Sequence, residues 1–436
     1  MAQIPPELAR LLEDPPDSDL LAILPEGSGA LSLSDALASL ERAELGVTHA
    51  APVAPEHEGA LWELEIELAV RGRSEPALAR AWLEPAPHGM LTDGVPWRGV
   101  TARDLNDGRH ATWAVCVSMG FAANPLADYH AQARLLFALA PEAILVLDVN
   151  AYRPHPGAWL RELAETQIPP SPVALFSIHD VAEPGAALHW LHTHGLDRCG
   201  LVELDALDVP GERAGLVGEL MNSVAAMFLE RGLPEPGEAF AVGQDIDLTW
   251  LPWSEGLGKV RDDTPGGEKD RDEAHRGARA ILFAPKRALF GTKYQSLAVY
   301  VPVLEQNPLL YVSSAETERM ALLASERLPR FLRLFDGFGG QDKWLFLVKL
   351  GYPVDGAEDD SDREHLWFQV HARGPGEVEA TLLNAPYRVA RLHEGDRGRH
   401  ALEHLTDWAI LCEAGRFDAG SVAELERLLS EQSQLH

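Results

Sequence analysis

His189, His192 and His194 fall in one short run, Leu188-His189-Trp190-Leu191-His192-Thr193-His194. His179-Asp180 stands upstream, and Glu203 and Asp205 follow. In an extended strand, residues two apart share a face, so His192 and His194 would present their imidazoles together. A His-x-His pair with a carboxylate is a donor set that zinc or manganese can use. His189, His192, His194 and Asp205 are therefore the candidate ligands of a divalent metal. The chemistry they would support is hydrolysis by a metal-bound water. A competing account is structural: histidines beside a Thr-Gly turn hydrogen-bond the backbone and cap the next element. The His-Glu-x-x-His spacing of a zinc protease helix does not occur.

Glu364, His365 and Trp367 form a second group, with Asn384 and the pair Asp407-Trp408 further on. A Glu–His pair can exchange protons with a substrate, or it can fix strand register through a buried hydrogen bond. Because no nucleophile accompanies either acid, the structural account is favoured: Asp407 turns the chain and Trp408 fills a core. These six residues stay candidates for a binding surface. Gln244, Asp245 and Asp247, ahead of Trp250 and Trp253, are read as a charged strand edge with its indoles packed inward. No Gly-x-Ser-x-Gly elbow, phosphate loop or dinucleotide-binding glycine motif occurs. The chain is accordingly expected to act by binding rather than by catalysis, with no cofactor, or with a divalent metal on the histidines.

The elements that must carry these residues follow from periodicity. Residues 32–44 read as a helix capped by Ser32, 60–70 as an alternating strand and 76–84 as a short helix. Strands at 112–121, 141–150 and 171–180 alternate with helices at 125–139 and 156–166, which suggests at least partly parallel pairing. Residues 211–232 form a long helix closed by Gly232, and 239–253 a strand. Residues 254–278 are charged and glycine-rich, as a linker would be. Strand-like runs follow at 279–285 and 297–304, then a helix at 314–335, strands at 344–350, 365–372 and 377–384, and a last helix near 420–431. The expected architecture is α/β and α+β multidomain, with mixed sheets flanked by helices and a small β-rich α+β domain at the C-terminus. The expected domains are 1–107, 108–254 and 279–436, with 255–278 as the linker.

The sequence has 436 residues, 46 % hydrophobic and 24 % charged, and a formal net charge of -30. Such a field repels phosphate backbones and anionic membrane surfaces, so neither nucleic acid nor membrane is an expected partner. A basic protein is. Cys116, Cys199 and Cys412 fit neither a metal nor a disulfide framework. The first residues lack the basic and apolar segments of a secretion signal, and no apolar run approaches the ~18 residues of a membrane span. A cytoplasmic location is the expectation.

Two family resemblances rest on ordered motif sets. Lys349, Glu364-His365-Leu366-Trp367, Leu382-Leu383-Asn384, Pro386, Leu392, Gly395-Asp396 and Asp407-Trp408 resemble the bacterial domain-of-unknown-function family 2314, of the YegJ type, over about residues 335–415. Trp190, His192-Thr193-His194-Gly195-Leu196, Arg198-Cys199-Gly200, Glu203 and Asp205 resemble family 4026, over about residues 20–330. The resemblance implies a bacterial protein of toxin–immunity neighbourhoods, and the acidic surface suits a basic protein partner, as an immunity-type protein would have. It supplies no catalytic residue.

Overall fold

The structure is a computed structural model and describes residues 6–91, 99–288, 291–306, 310–311, 314–356 and 362–434. The chain forms two compact units, Met1–Ser313 and Ser314–His436. The fold is multidomain α+β, built on three sheets of mostly antiparallel pairing.

The first sheet contains β1 (Ser18–Ile23), β2 (Val47–Val53), β3 (Trp62–Leu68), β4 (Ala77–Pro85), β5 (Trp113–Met119), β6 (Leu145–Asp148) and β7 (Arg153–Pro156), in the order β2-β3-β4-β5-β1-β6-β7. All its pairings are antiparallel. Two expectations change here. Residues 76–84 are the strand β4 and not a helix. Ala77, Ala79, Ala81 and Leu83 are buried on alternate positions between β3 and β5, and this ladder outweighs the helix propensity of the alanines. The same sheet also draws strands from both sides of residue 107, so no domain boundary falls there. Three expected helices do form. Leu33–Arg42 is capped by the Ser32 side chain, and Pro125–Leu139 and Gly157–Glu165 follow.

The second sheet contains β8 (Ser177–Val181), β9 (Leu188–His194), β10 (Glu203–Pro210), β11 (Phe240–Gly243), β12 (Ile246–Pro252), β13 (Arg279–Arg287) and β14 (Thr292–Gln295). Its order is β11-β12-β13-β10-β9-β8, with β14 beside β13. Among the described residues only β10 and β13 pair in parallel. The partly parallel sheet inferred from alternating strands and helices therefore reduces to this one pair. Residues 239–253 make a hairpin rather than one strand, turning at Asp245 with φ 60°. The helix Ala214–Arg231 buries Val217, Leu220, Met221, Val224 and Phe228, and Gly232 closes it by donating to Phe228.

Residues 254–278 are not a bare linker. They fold as short helical turns, and Thr264 and Arg271 are buried. β13, expected to open a third domain, is instead an interior strand of this sheet. Residues 297–304 form two helical turns, Leu297–Tyr300 and Val301–Leu304, where Ser296 caps Ala298 and Pro302 sits in the first turn of the second.

The C-terminal unit is β-rich. Its sheet contains β15 (Leu345–Pro353), β16 (Arg363–Gly374), β17 (Glu377–Leu382), β18 (Arg397–Ala401), β19 (Leu405–Cys412) and β20 (Gly415–Asp418), ordered β18-β17-β16-β15-β19-β20 and antiparallel throughout. The helix Ser314–Phe338 packs on β19: the Trp408 indole nitrogen donates to the Ala324 carbonyl at 2.9 Å, and Phe331 lies 5.1 Å from the indole. No described helix is long and apolar enough to cross a membrane.

Candidate metal centre

Register brings the histidines together. β8 and β9 pair antiparallel with His179 opposite His192 and Ser177 opposite His194. Residues opposite each other share a face, as do residues two apart on one strand. His179, His192 and His194 thus crowd one patch, each offering a ring nitrogen within 4.8 Å of the others. The closest approach is 3.1 Å, between Nε2 of His192 and Nε2 of His194. His192 and His194 are buried, and His179 is half-buried.

The turn after β9 is held by Glu203, whose carboxylate accepts from the Thr193 hydroxyl and from the Gly195 and Asp197 amides. Gly195 has φ 105°, and a Cβ there would stand 2.6 Å from the Leu175 carbonyl oxygen, so this turn requires glycine. Burial, reinforced by the neighbouring Asp197, raises Glu203 to about 7. It is a clamp on the strand end and not a ligand.

Two of the candidate ligands are engaged with other partners. His189 alternates to the opposite face of β9, where its Nδ1 meets Asp180 at 2.7 Å and its ring packs on Gly211. Asp205 pairs with His192 across β9 and β10, but its oxygens are taken. Oδ1 accepts from the Trp190 indole at 3.1 Å and from Arg279 at 3.0 Å, and Oδ2 stands 2.9 Å from Arg271 Nη1. All of these groups are buried. Burial alone would raise Asp205, yet Arg279 and Arg271 outweigh it and hold the carboxyl at about 2. Asp205 is the counter-ion of two arginines.

Two histidines outside the expected ligand set join the patch. His179 is a sequence neighbour of that set, and the β8–β9 register makes it a member. His275 comes from the segment 254–278: its Nε2 lies 3.3 Å from His192 Nε2, and its Nδ1 stands 2.6 Å from Asp272. The Asp-x-x-His spacing of Asp272 and His275 was the only available signal. Burial, followed by the charge of Arg279, lowers His192 to about 2 and His194 to about 3. Burial also lowers His179, against a hydrogen bond to the Ala151 backbone. His192 and His194 are therefore neutral at ordinary pH, the form in which imidazole ligates a metal.

The candidates of the C-terminal unit do not converge on a comparable cluster. Glu364 accepts from the Tyr387 and Arg388 amides at 2.7 and 2.8 Å. His365 meets the Thr406 hydroxyl at 3.1 Å. Asn384 accepts from the Trp367 amide at 3.0 Å, and the Trp367 ring lies 5.6 Å from the Lys349 ammonium. Asp407 accepts from the Trp408 amide at 2.8 Å. Each motif residue secures a loop, a strand or a core contact. Of the third group, Asp247 is exposed, Trp250 is buried and Trp253 is half-buried.

Residues 97–170 match the family model described as protein of unknown function (DUF4026) N-terminal, and residues 178–283 its C-terminal counterpart. Residues 341–435 match an uncharacterized protein conserved in bacteria (DUF2314). Residues 97–283 thus carry a DUF4026 region and residues 341–435 a DUF2314 region. The C-terminal DUF4026 match holds His179, His192, His194, Asp205, Arg271 and His275 within one segment, so the histidine patch and its arginine support belong to that family region. No curated protein and no solved structure matches the chain.

Proposed function

We propose that the DUF4026 part is a metal-binding module that takes a divalent transition ion, zinc foremost, on His179, His192 and His194. The convergence of three imidazoles from two paired strands carries this reading. Two nitrogens bound to one tetrahedral zinc stand roughly 3.3 Å apart, given a Zn–N distance of about 2.0–2.1 Å. The 3.1 Å between His192 and His194 is close to that value. Without an ion, two buried imidazoles so placed share one proton between their Nε2 atoms.

The module is read as a binding centre and not as a hydrolase. Asp205, the carboxylate opposite His192 on the paired strand, is held by two arginines and so is not free to take a proton from a metal-bound water. The test is elemental analysis of protein purified without chelators, then zinc titration against a competing chelator. One equivalent of metal is expected, lost in the double variant His192→Ala, His194→Ala. Protein that arrives metal-free and ignores added zinc would end this reading.

A second reading concerns the whole chain. The formal net charge of -30 favours a basic protein partner, as an immunity-type protein facing a basic toxin would have. The three free cysteines suit a reducing cytoplasm. Pulldown from extract across a salt series tests it: a specific basic partner lost at high salt supports the reading, and recovery of none at any salt removes it.

A further inference from the structure

We infer that residues 254–278 are a strap that carries His275 to the metal as a fourth imidazole, so that metal binding and strap closure are one linked equilibrium. The inference rests on the metal-binding reading above and adds to it a fourth ligand and a consequence for coordination.

His192 Nε2 is the shared point of contact. His194 Nε2 approaches it to 3.1 Å and His275 Nε2 to 3.3 Å. A neutral imidazole nitrogen has either one proton or one lone pair, so His192 Nε2 can make one good hydrogen bond and not two. A cation among the rings resolves this, because each nitrogen then directs its lone pair at the ion. Both separations fall near the roughly 3.3 Å of nitrogens on one tetrahedral zinc. His275 also has the outer partner that a ligating histidine usually keeps: Asp272 receives its Nδ1–H, which fixes the ring and leaves Nε2 for the metal.

The rest of the strap explains how a charged, glycine-rich segment can hold a ligand in place. Arg271 is buried and reaches Asp205 at 2.9 Å, while its Nε donates to the Gly266 carbonyl at 2.9 Å and its Nη1 to the His275 carbonyl at 3.1 Å. Its guanidinium lies 5.1 Å from the Trp190 ring and 5.3 Å from Trp253. The anchor therefore ties the strap ahead of the histidine-bearing turn, at Gly266, and at His275 itself. A site with four imidazoles is closed, as structural zinc sites are, whereas a catalytic site keeps a position for water.

The test combines zinc affinity with limited proteolysis of the full-length protein at zinc concentrations set by a chelator buffer. Lys269 and Arg276 are exposed in the strap and report its opening to a protease specific for basic residues. Zinc is expected to slow cleavage at these two sites in the wild type. His275→Ala should bind zinc more weakly than wild type and lose the zinc-dependent protection. Linkage requires the two factors to agree: the slowing of cleavage at saturating zinc equals the affinity lost in His275→Ala. Asp272→Asn leaves the ligand in place and removes its orienting carboxylate, so its affinity should fall about 10–100-fold with partial protection retained. If wild type binds zinc but the strap is cleaved equally fast with and without it, or if His275→Ala binds as tightly as wild type, the inference is overturned and the three-histidine site stands. If wild type binds no zinc, both readings fail.

Discussion

Arg271→Ala should release the strap while leaving the sheet beneath it folded. Arg271 is one of two buried arginines on Asp205, so its loss leaves that carboxylate with Arg279 at 3.0 Å and the Trp190 indole at 3.1 Å. Breaking a buried ion pair costs about 3–5 kcal/mol when the remaining charge is stranded. Here it is not stranded, and one buried Arg271 nitrogen, Nη2, has no hydrogen-bond partner in the folded protein. Removing that nitrogen returns part of the cost, of order 1 kcal/mol. With Arg279 and the Trp190 indole still on Asp205, a net loss of about 1–3 kcal/mol follows, and it falls on the strap, because the Gly266 and His275 carbonyls lose their donor while the β9–β10 ladder keeps its own bonds. Since ~1.4 kcal/mol is a factor of ten, strap amides should exchange about 5- to 150-fold faster. Hydrogen exchange read by mass spectrometry on metal-free full-length protein measures this. Equal acceleration in β9 and β10 would show the strap to be part of the global folding unit. Unchanged strap exchange would show that Arg271 is no anchor. Either result refutes the reasoning.

Gly266→Ala attacks the same strap from its packing side. With φ 82°, and a Cβ that would meet Trp190 Cγ at 2.6 Å and Leu207 Cδ2 at 2.8 Å, it should cost about 1–3 kcal/mol and likewise accelerate strap exchange. In the C-terminal unit, burial raises Asp407 to about 6 from 3.8, against the opposing Trp408 amide bond. A raised folded-state value means that the folded unit holds this proton more tightly than the unfolded chain. Its contribution is therefore complete below about pH 4 and gone above about pH 6, a loss of about 3 kcal/mol. Asp407→Asn should match wild type at pH 4 and exceed it by that amount at pH 8, judged by exchange of β15 and β19 amides; a difference constant with pH would contradict this. Thermal shifts should separate metals by donor preference: zinc, nickel and cobalt should stabilise the N-terminal unit, and magnesium and calcium should not, because imidazole nitrogens suit the former group and oxygens the latter. Stabilisation by magnesium or calcium would place the ion on carboxylates instead.

Local rules made part of this molecule legible. Ser32 and Gly232 mark helix ends by chemistry that acts within a few residues, and both helices end where those residues stand. Alternation placed β3, and the apolar runs of the C-terminal unit placed β15, β16 and β17. The errors arose where distant partners decide. β4 reads as a helix from its alanines and is a strand because β3 and β5 flank it. β13 reads as the start of a new domain and is an interior strand because β10 and β12 lie on either side of it.

The candidate metal centre divides along the same line. His192 and His194 are two apart on one strand, so their common face follows from local geometry, and the same rule sends His189 to the other face. That exclusion was available from the sequence. Membership of His179 needed the β8–β9 register, and that of His275 needed the fold of a segment whose composition argues against burial. Composition misleads there for a physical reason. Linker-like sequences stay out of a core because their charges have no partner, and Arg271 has one in Asp205 on a strand more than sixty positions away. Asp205 was counted as a ligand because carboxylates near histidines often are. Its actual role is one step removed: it neutralises the arginine that secures the strap, and the strap brings the histidine. A carboxylate can thus matter to the proposed centre without being one of its ligands, and the residues to vary in testing it are the arginines and not the acid.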